Sequence, residues 1–116
     1  MDASLIDPSQ IAALRADYGA EIVSELAADF VRIGGETARR LHQAATVRDA
    51  RLWEEVAHEI KGSARTMGLD RLATLCGEIE AACAAGRLDD AARCTDELDE
   101  CFAASVVVLE RLVAAG

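Results

Sequence analysis

The sequence predicts an all-α fold, an antiparallel up-down four-helix bundle with a short additional N-terminal helix. Three observations support this prediction. Apolar residues recur at helical spacing in four long stretches joined by short connections, which favours antiparallel neighbours. Aromatic residues make up only 3% of the chain, so the expected core is one of closely spaced helices. No stretch alternates apolar and polar residues in the way that a half-buried strand does.

The short first helix is predicted from its capping pattern. Asp7 can cap it, Pro8 occupies its first position and Gln10 its third, a combination typical of helix N-termini. We expect this helix to continue to about Asp17 and to end near Gly19.

A second, long helix is predicted over about residues 20–45. Two adjacent glycines, Gly34 and Gly35, could bend or split it. We expect one helix, because the apolar stripe resumes in phase at Leu41. The residues expected on its inner side are Ile22, Val23, Leu26, Phe30, Ile33, Thr37 and Leu41.

Three further helices are predicted over about residues 49–67, 69–85 and 89–114. Asp49 can cap the third helix, and Gly68 can end it in a left-handed conformation. The apolar side of the third helix is expected to carry Leu52, Val56, Ile60 and Met67, with Trp53, Ala57 and Ala64 at its edges.

Length and charge limit the classes of function. The 116 residues are expected to form one helical domain over residues 1–116, and the sequence leaves open whether it is full length or a domain of a larger protein. A net charge of −9 argues against nucleic acid and anionic membranes as partners. No apolar run reaches the roughly 20 residues of a membrane span, and no signal-peptide pattern opens the chain. We therefore expect a cytoplasmic protein.

The four cysteines, Cys76, Cys83, Cys94 and Cys101, are interpreted as core thiols. They form no Cys-x-x-Cys pair and have no paired histidines, so a zinc site is poorly supported. Each lies on an apolar helical stripe, where cysteine serves as a small buried residue. A disulfide between neighbouring helices remains an alternative.

The third helix carries the candidate functional residue, His58. Lys61, Gly62 and Arg65 follow it on one polar stripe of the helix. A glycine inside a helix costs about 0.5–1 kcal/mol relative to alanine, and at Gly62 it leaves space beside the imidazole. Neutral imidazole is a competent nucleophile at pH 7, and neighbouring cations can offset the charge of a phosphoryl group. The pattern suits a histidine that holds a phosphoryl group.

These residues resemble the histidine-containing phosphotransfer (HPt) domain family. The resemblance rests on Ala57-His58-x-x-Lys61-Gly62-Ser63, followed by Gly68, Leu75-Cys76 and Glu80, and on the order of the helices. It implies that His58 carries the phosphoryl group on the ring nitrogen farther from the backbone. It also implies that Lys61 neutralises that group, that Gly62 gives access, and that Glu80 orients the imidazole.

The resemblance further implies a phosphorelay role in two-component signalling. His58 would shuttle a phosphoryl group between aspartates of receiver domains, in response regulators or in a hybrid histidine kinase. Docking would use an apolar patch around His58 on the second and third helices. No ATP site or intrinsic kinase activity is expected, nor any cofactor in this chain, and Mg²⁺ would belong to the partner receiver.

Three alternatives remain open at this point. The chain could be the substrate domain of a larger chemotaxis-type kinase, or a receiver-binding adaptor that carries no phosphate. A metal-binding bundle is disfavoured, because such bundles use a pair of Glu-x-x-His motifs and this chain has only one, at Glu55 and His58. The role of Arg65 rests on spacing alone, and His42 is interpreted as a surface or boundary histidine. The acidic residues between 89 and 100 are interpreted as a solvated helix face.

Overall fold

The computed structural model describes residues 5–115, and every regular element in that range is an α-helix. The helices are α1 (Pro8–Tyr18), α2 (Ala20–Thr46), α3 (Ala50–Thr66), α4 (Asp70–Ala84), α5 (Leu88–Asp96) and α6 (Leu98–Ala115). Helix α2 packs against α3 and α6, and α4 packs against α3, α5 and α6, while α1 contacts α2 and α6. The predicted all-α bundle is confirmed. The domain limits of 1–116 stay a prediction, and residues 1–4 and 116 lie outside the described range.

Local signals set both ends of α1 and the start of α3, as the sequence predicts. The carboxylate of Asp7 accepts a hydrogen bond from the backbone N–H of Ser9 at 3.0 Å, and Gly19 ends α1 at φ +90°. The carboxylate of Asp49 accepts from the N–H of Leu52 at 3.1 Å and caps α3. These contacts satisfy backbone donors that a helix start leaves unpaired.

Gly68 ends α3 and also seats the N-terminal segment. Its φ of +74° is the left-handed conformation that favours glycine. The N–H of Asp7 donates to the carbonyl of Gly68 at 2.7 Å, and the side-chain amide of Gln10 donates to the carbonyl of Thr66 at 3.1 Å. A Cβ on Gly68 would lie 2.8 Å from Cβ of Gln10, so a larger residue would push α1 away.

Helix α2 is unbroken, as predicted, but its inner face differs from the prediction. Gly34 makes room for the ring of Phe102, which would lie 2.9 Å from a Cβ at that position. Ile22, Leu26 and Ile33, predicted to face inward, are exposed. Val23, Phe30, Thr37 and Leu41 are buried as predicted, and alanines that a pattern of large apolar residues does not mark complete the inner face. The buried residues are Val23, Ala27, Phe30, Thr37, Ala38, Leu41 and Ala44.

The buried face of α3 is rotated slightly from the predicted one. Leu52, predicted to lie in the apolar stripe, is exposed, whereas Trp53, predicted at its edge, is completely buried. The indole N–H of Trp53 donates to the hydroxyl of Thr95 at 3.0 Å. This hydrogen bond satisfies the polar atom of the largest buried side chain, and it draws Trp53 rather than Leu52 toward α5.

The predicted fifth helix is two helices, α5 and α6, separated at Glu97. The hydroxyl of Thr95 accepts from Trp53 and donates to the carbonyl of Ala91 at 2.8 Å. This hydroxyl, two residues before the interruption, bonds back to a helix carbonyl. The N–H of Cys101 then donates to the carbonyl of Glu97 at 3.2 Å, so the helical ladder resumes at once.

All four cysteines are free thiols, as the interpretation of core residues predicts. Cys76 and Cys83 are buried, and burial raises their pKa values to about 12 and about 11. A raised pKa keeps a thiol protonated and unreactive at neutral pH. Among the helices of residues 5–115, none combines the length and the apolar character that crossing a membrane requires.

Candidate functional site

His58 lies in the middle of α3, on the side that faces away from the bundle core. Its side chain is 67% exposed, although Ala57 beside it and Ile60 one half-turn further are buried. One turn after His58, a Cβ built on Gly62 would meet nothing within 4 Å. The imidazole therefore stands beside open space, and the missing side chain at Gly62 keeps that space clear.

Glu80 reaches the imidazole from α4. Its Oε2 lies 2.8 Å from Nδ1 of His58, and its side chain is only 20% exposed. A carboxylate can only accept, so Nδ1 of His58 carries the proton and donates it. The neutral ring then keeps its lone pair on Nε2, the nitrogen that faces away from the backbone. The contact thus selects the tautomer in which Nε2 carries no proton and keeps a free lone pair.

Lys61 contacts the same carboxylate from the other side. Its Nζ lies 2.5 Å from Oε1 of Glu80, and its side chain is only 17% exposed. The sequence placed Lys61 as a cation flanking the gap beside His58. In the structure the ammonium pairs with the partly buried carboxylate of Glu80 on α4, a contact that spacing along α3 does not reveal. The role of Lys61 in neutralising a phosphoryl group stays a prediction.

The carboxyl group of Glu80 is held in its ionised form. Partial burial opposes ionisation, but hydrogen bonding and charge from Lys61, and then from His58, outweigh it and lower the pKa of Glu80. The site is therefore a chain of three charged or polar groups on two helices, Lys61, Glu80 and His58, with the ring at its exposed end.

Arg65 and Ser63 lie on the exposed side of α3, C-terminal to the imidazole. Within residues 5–115, Arg65 forms no side-chain ion pair, and its role stays a prediction from spacing. Glu59, next to His58 in sequence, forms a two-point ion pair with Arg40 of α2, at 3.2 and 3.3 Å. This pair ties the two helices together beside the imidazole.

An apolar groove runs between α2 and α3 alongside this site, with a volume of about 270 Å³. Leu26, Ile33 and Met67 contribute apolar surface to it, and Asp29 and Glu59 lie on its rim. The sequence predicted an apolar patch on these two helices, but it assigned Leu26 and Ile33 to the core instead. Large apolar residues on the face of α2 opposite its alanines were the signal that could have revealed the groove.

Two other groups of residues lie apart from this constellation. His42 of α2 contacts Asp99 of α6 through Nε2 at 3.0 Å, and it is a partly exposed boundary residue, as predicted. The acidic residues of α5 and α6 are largely exposed, and several pair with neighbouring arginines, as Asp89 does with Arg48 at 2.9 Å.

Comparison with known proteins identifies the family. The sequence model described as the Hpt domain matches residues 25–106, more than two thirds of the chain. The chain belongs to the Hpt domain family. The matched range holds α3, α4 and α5 completely, and with them His58, Lys61, Gly62 and Glu80. Helix α1 precedes the matched range.

Two relatives support this assignment. Histidine-containing phosphotransfer protein 2 of Arabidopsis thaliana is 30% identical over 83 residues, which are 72% of this chain and 53% of the relative. The chain thus spans about half the length of that curated relative. Histidine-containing phosphotransfer protein B (HptB) of Pseudomonas aeruginosa PAO1 superposes with a TM-score of 0.91 at 26% identity, over 99% of each chain. The helical bundle of this Hpt chain therefore matches a crystal structure over nearly its whole length.

Proposed function

We propose that this Hpt domain is a phosphorelay carrier in two-component signalling, and that His58 is the residue that carries the phosphoryl group. The observation that supports this most directly is the exposed imidazole whose Nδ1 is held by Glu80. The proton on Nδ1 leaves Nε2 as a nucleophile directed to solvent, where a visiting domain can reach it. The names of the two relatives and the matching family point to the same chemistry.

The proposed transfer step is a direct exchange with an aspartyl phosphate of a receiver domain. Nε2 of His58 attacks the phosphorus in line with the bond to the aspartate oxygen. The N–P bond forms while the P–O bond breaks, and the electron pair of that bond leaves with the aspartate carboxylate. The ring then carries positive charge with its proton still on Nδ1, and the carboxylate of Glu80 offsets that charge. Transfer to a second receiver reverses these changes.

Access and docking follow from the surroundings of the ring. An in-line approach needs free space beside Nε2, and Gly62 leaves that space on the side of the next helical turn. The apolar groove between α2 and α3 offers a receiver a surface next to the imidazole. In this proposal the receiver supplies the acidic pocket and its Mg²⁺, and the Hpt chain supplies the histidine.

The experiment uses the chain's two histidines as a matched pair. Receivers labelled with a radioactive phosphoryl group are mixed with the wild type, with His58→Gln and with His42→Gln. We expect acid-labile, alkali-stable label on the wild type and on His42→Gln, and none on His58→Gln. Label retained on His58→Gln, or lost only from His42→Gln, would remove His58 from the mechanism.

A second arm of the experiment separates a carrier from a kinase. We infer that the chain takes its phosphoryl group from a receiver and does not draw it from ATP. Incubation with labelled ATP and Mg²⁺, without any receiver, should leave the wild type unlabelled. Label that appears under these conditions and disappears in His58→Gln would show a kinase activity, and it would contradict the carrier assignment.

A further inference from the structure

Gly77 of α4 lies where the side chain of Lys61 crosses from α3. A Cβ built on Gly77 would lie 3.7 Å from Cδ of Lys61. Lysine side chains are rarely covered, yet this one is only 17% exposed. A Cβ at that distance is an ordinary contact, so the aliphatic part of Lys61 can lie against α4 as long as residue 77 is no larger than alanine.

The path of the Lys61 side chain along α4 determines where its ammonium group lies. Glu80 follows Gly77 by three residues, so both lie on one face of α4. The ammonium of Lys61 reaches Oε1 of Glu80, while Oε2 of the same carboxylate contacts His58. The cation is thus separated from the imidazole by the carboxylate, and its charge acts first on Glu80.

We propose that Gly77 and Lys61 are positioning residues: Gly77 provides the slot for Lys61, and Lys61 acts on phosphoryl transfer through Glu80 rather than by contact with the phosphoryl group. This inference rests on the proposed function of His58. It assigns a role to a glycine outside the motif around His58. It also makes the carboxylate of Glu80, rather than the phosphoryl group, the partner of the Lys61 ammonium.

A double-mutant cycle tests the route through Glu80. Lys61→Met keeps the aliphatic stem and removes the charge, and Glu80→Gln removes the charge of the carboxylate. Each single substitution should lower the rate of transfer from a phosphorylated receiver by roughly three- to tenfold. In the Glu80→Gln background, Lys61→Met should change the rate by less than about twofold. If Lys61→Met has its full effect in that background, Lys61 contacts the phosphoryl group, and the proposal is wrong.

The slot at Gly77 is tested with two substitutions of different size. A Cβ at 3.7 Å is an ordinary contact, so Gly77→Ala should leave Lys61 in place and transfer within about twofold of the wild type. The extra methyl groups of Gly77→Val should displace Lys61 and reduce transfer as much as Lys61→Met does. Both residues have a better helix propensity than glycine, so α4 should remain folded, as circular dichroism can verify.

A measurement that needs no phosphoryl transfer separates this proposal from the proposal that His58 carries the phosphoryl group. The pKa of the Glu80 carboxyl, measured by carbon NMR titration, should rise in Gly77→Val and Lys61→Met but stay unchanged in Gly77→Ala. An unchanged pKa in Gly77→Val would contradict the slot even if transfer fell. If the wild type took no label on His58, the proposed function would fail, while this titration would still decide whether Gly77 positions Lys61.

Discussion

Both histidines of this Hpt chain contact a carboxylate, but they do so through different ring nitrogens. His58 uses Nδ1, at 2.8 Å from Glu80, and leaves Nε2 exposed. His42 uses Nε2, at 3.0 Å from Asp99, and so engages the nitrogen that projects farthest from the backbone. The residue one turn further is Gly62 after His58 and Thr46 after His42.

The two carboxylates also differ in their surroundings. Asp99 is 73% exposed, whereas Glu80 is 20% exposed and is paired with Lys61 on its second oxygen. An exposed pair is screened by water and contributes little, while a partly buried one can fix geometry. An exposed histidine is thus a candidate nucleophile when a partly buried carboxylate contacts its Nδ1 and its Nε2 stays free.

The largest effect is expected from removing the carboxylate that contacts His58, with removal of the one that contacts His42 as the control. Glu80→Ala should lower phosphoryl transfer to His58 by roughly ten- to a hundredfold, because the ring loses the acceptor that fixes its tautomer and orientation. Asp99→Ala, the matched control, should leave transfer within about twofold of the wild type. Both rates are measured with the same phosphorylated receiver. Equal losses in the two variants would mean that the comparison reflects stability rather than chemistry.

A smaller but clear effect is expected from filling the space beside His58. Gly62→Gln should slow transfer by about tenfold, since the new side chain enters the path of the receiver. The helix itself should gain stability, because glycine costs about 0.5–1 kcal/mol inside a helix. Gly35→Gln is the control, as Gly35 also lies in a helix beside open space. An unchanged rate in Gly62→Gln would show that steric access does not depend on this glycine.

The sequence predicted those parts of the fold that depend on local contacts. The caps at Asp7 and Asp49 and the stop at Gly68 involve residues close in the chain, and each was predicted correctly. The break at Glu97 was not predicted, and neither was the hydrogen bond between Trp53 and Thr95, which lie 42 residues apart. Spacing cannot reveal a contact of that kind.

The same distinction applies to the site. Spacing along α3 put His58 on the exposed side with Gly62 one turn away, and the structure agrees with both positions. The contact of the Lys61 ammonium with Glu80 was not predicted, because it depends on how close α4 lies to α3. The exposed apolar residues of α2 were assigned to the core, because the sequence does not show that alanines would form the inner face.

A weaker effect should follow from making the groove polar. Ile33 is exposed beside the groove near His58, and Val107 of α6 is exposed to a similar extent elsewhere. Ile33→Ser should raise the receiver concentration needed for half-maximal transfer by about fivefold, which corresponds to roughly 1 kcal/mol of apolar contact. Val107→Ser should not change it. Equal changes in the two variants would indicate that receivers do not dock at this groove.

The smallest effect concerns stability and its dependence on pH. The pKa of Glu80 is lowered in the folded chain, so its ionised form contributes stability above the ordinary pKa of about 4.5 and loses it as the pH falls through the lowered value. Glu80→Gln should therefore unfold more easily than the wild type at pH 7, by up to about 1 kcal/mol. That difference in unfolding free energy should shrink toward pH 3, because more of the wild-type carboxyl is protonated there than at pH 7. Urea denaturation of both proteins at the two pH values measures it, and a difference that stayed constant between them would mean that Glu80 stabilises the bundle by packing rather than by its charge.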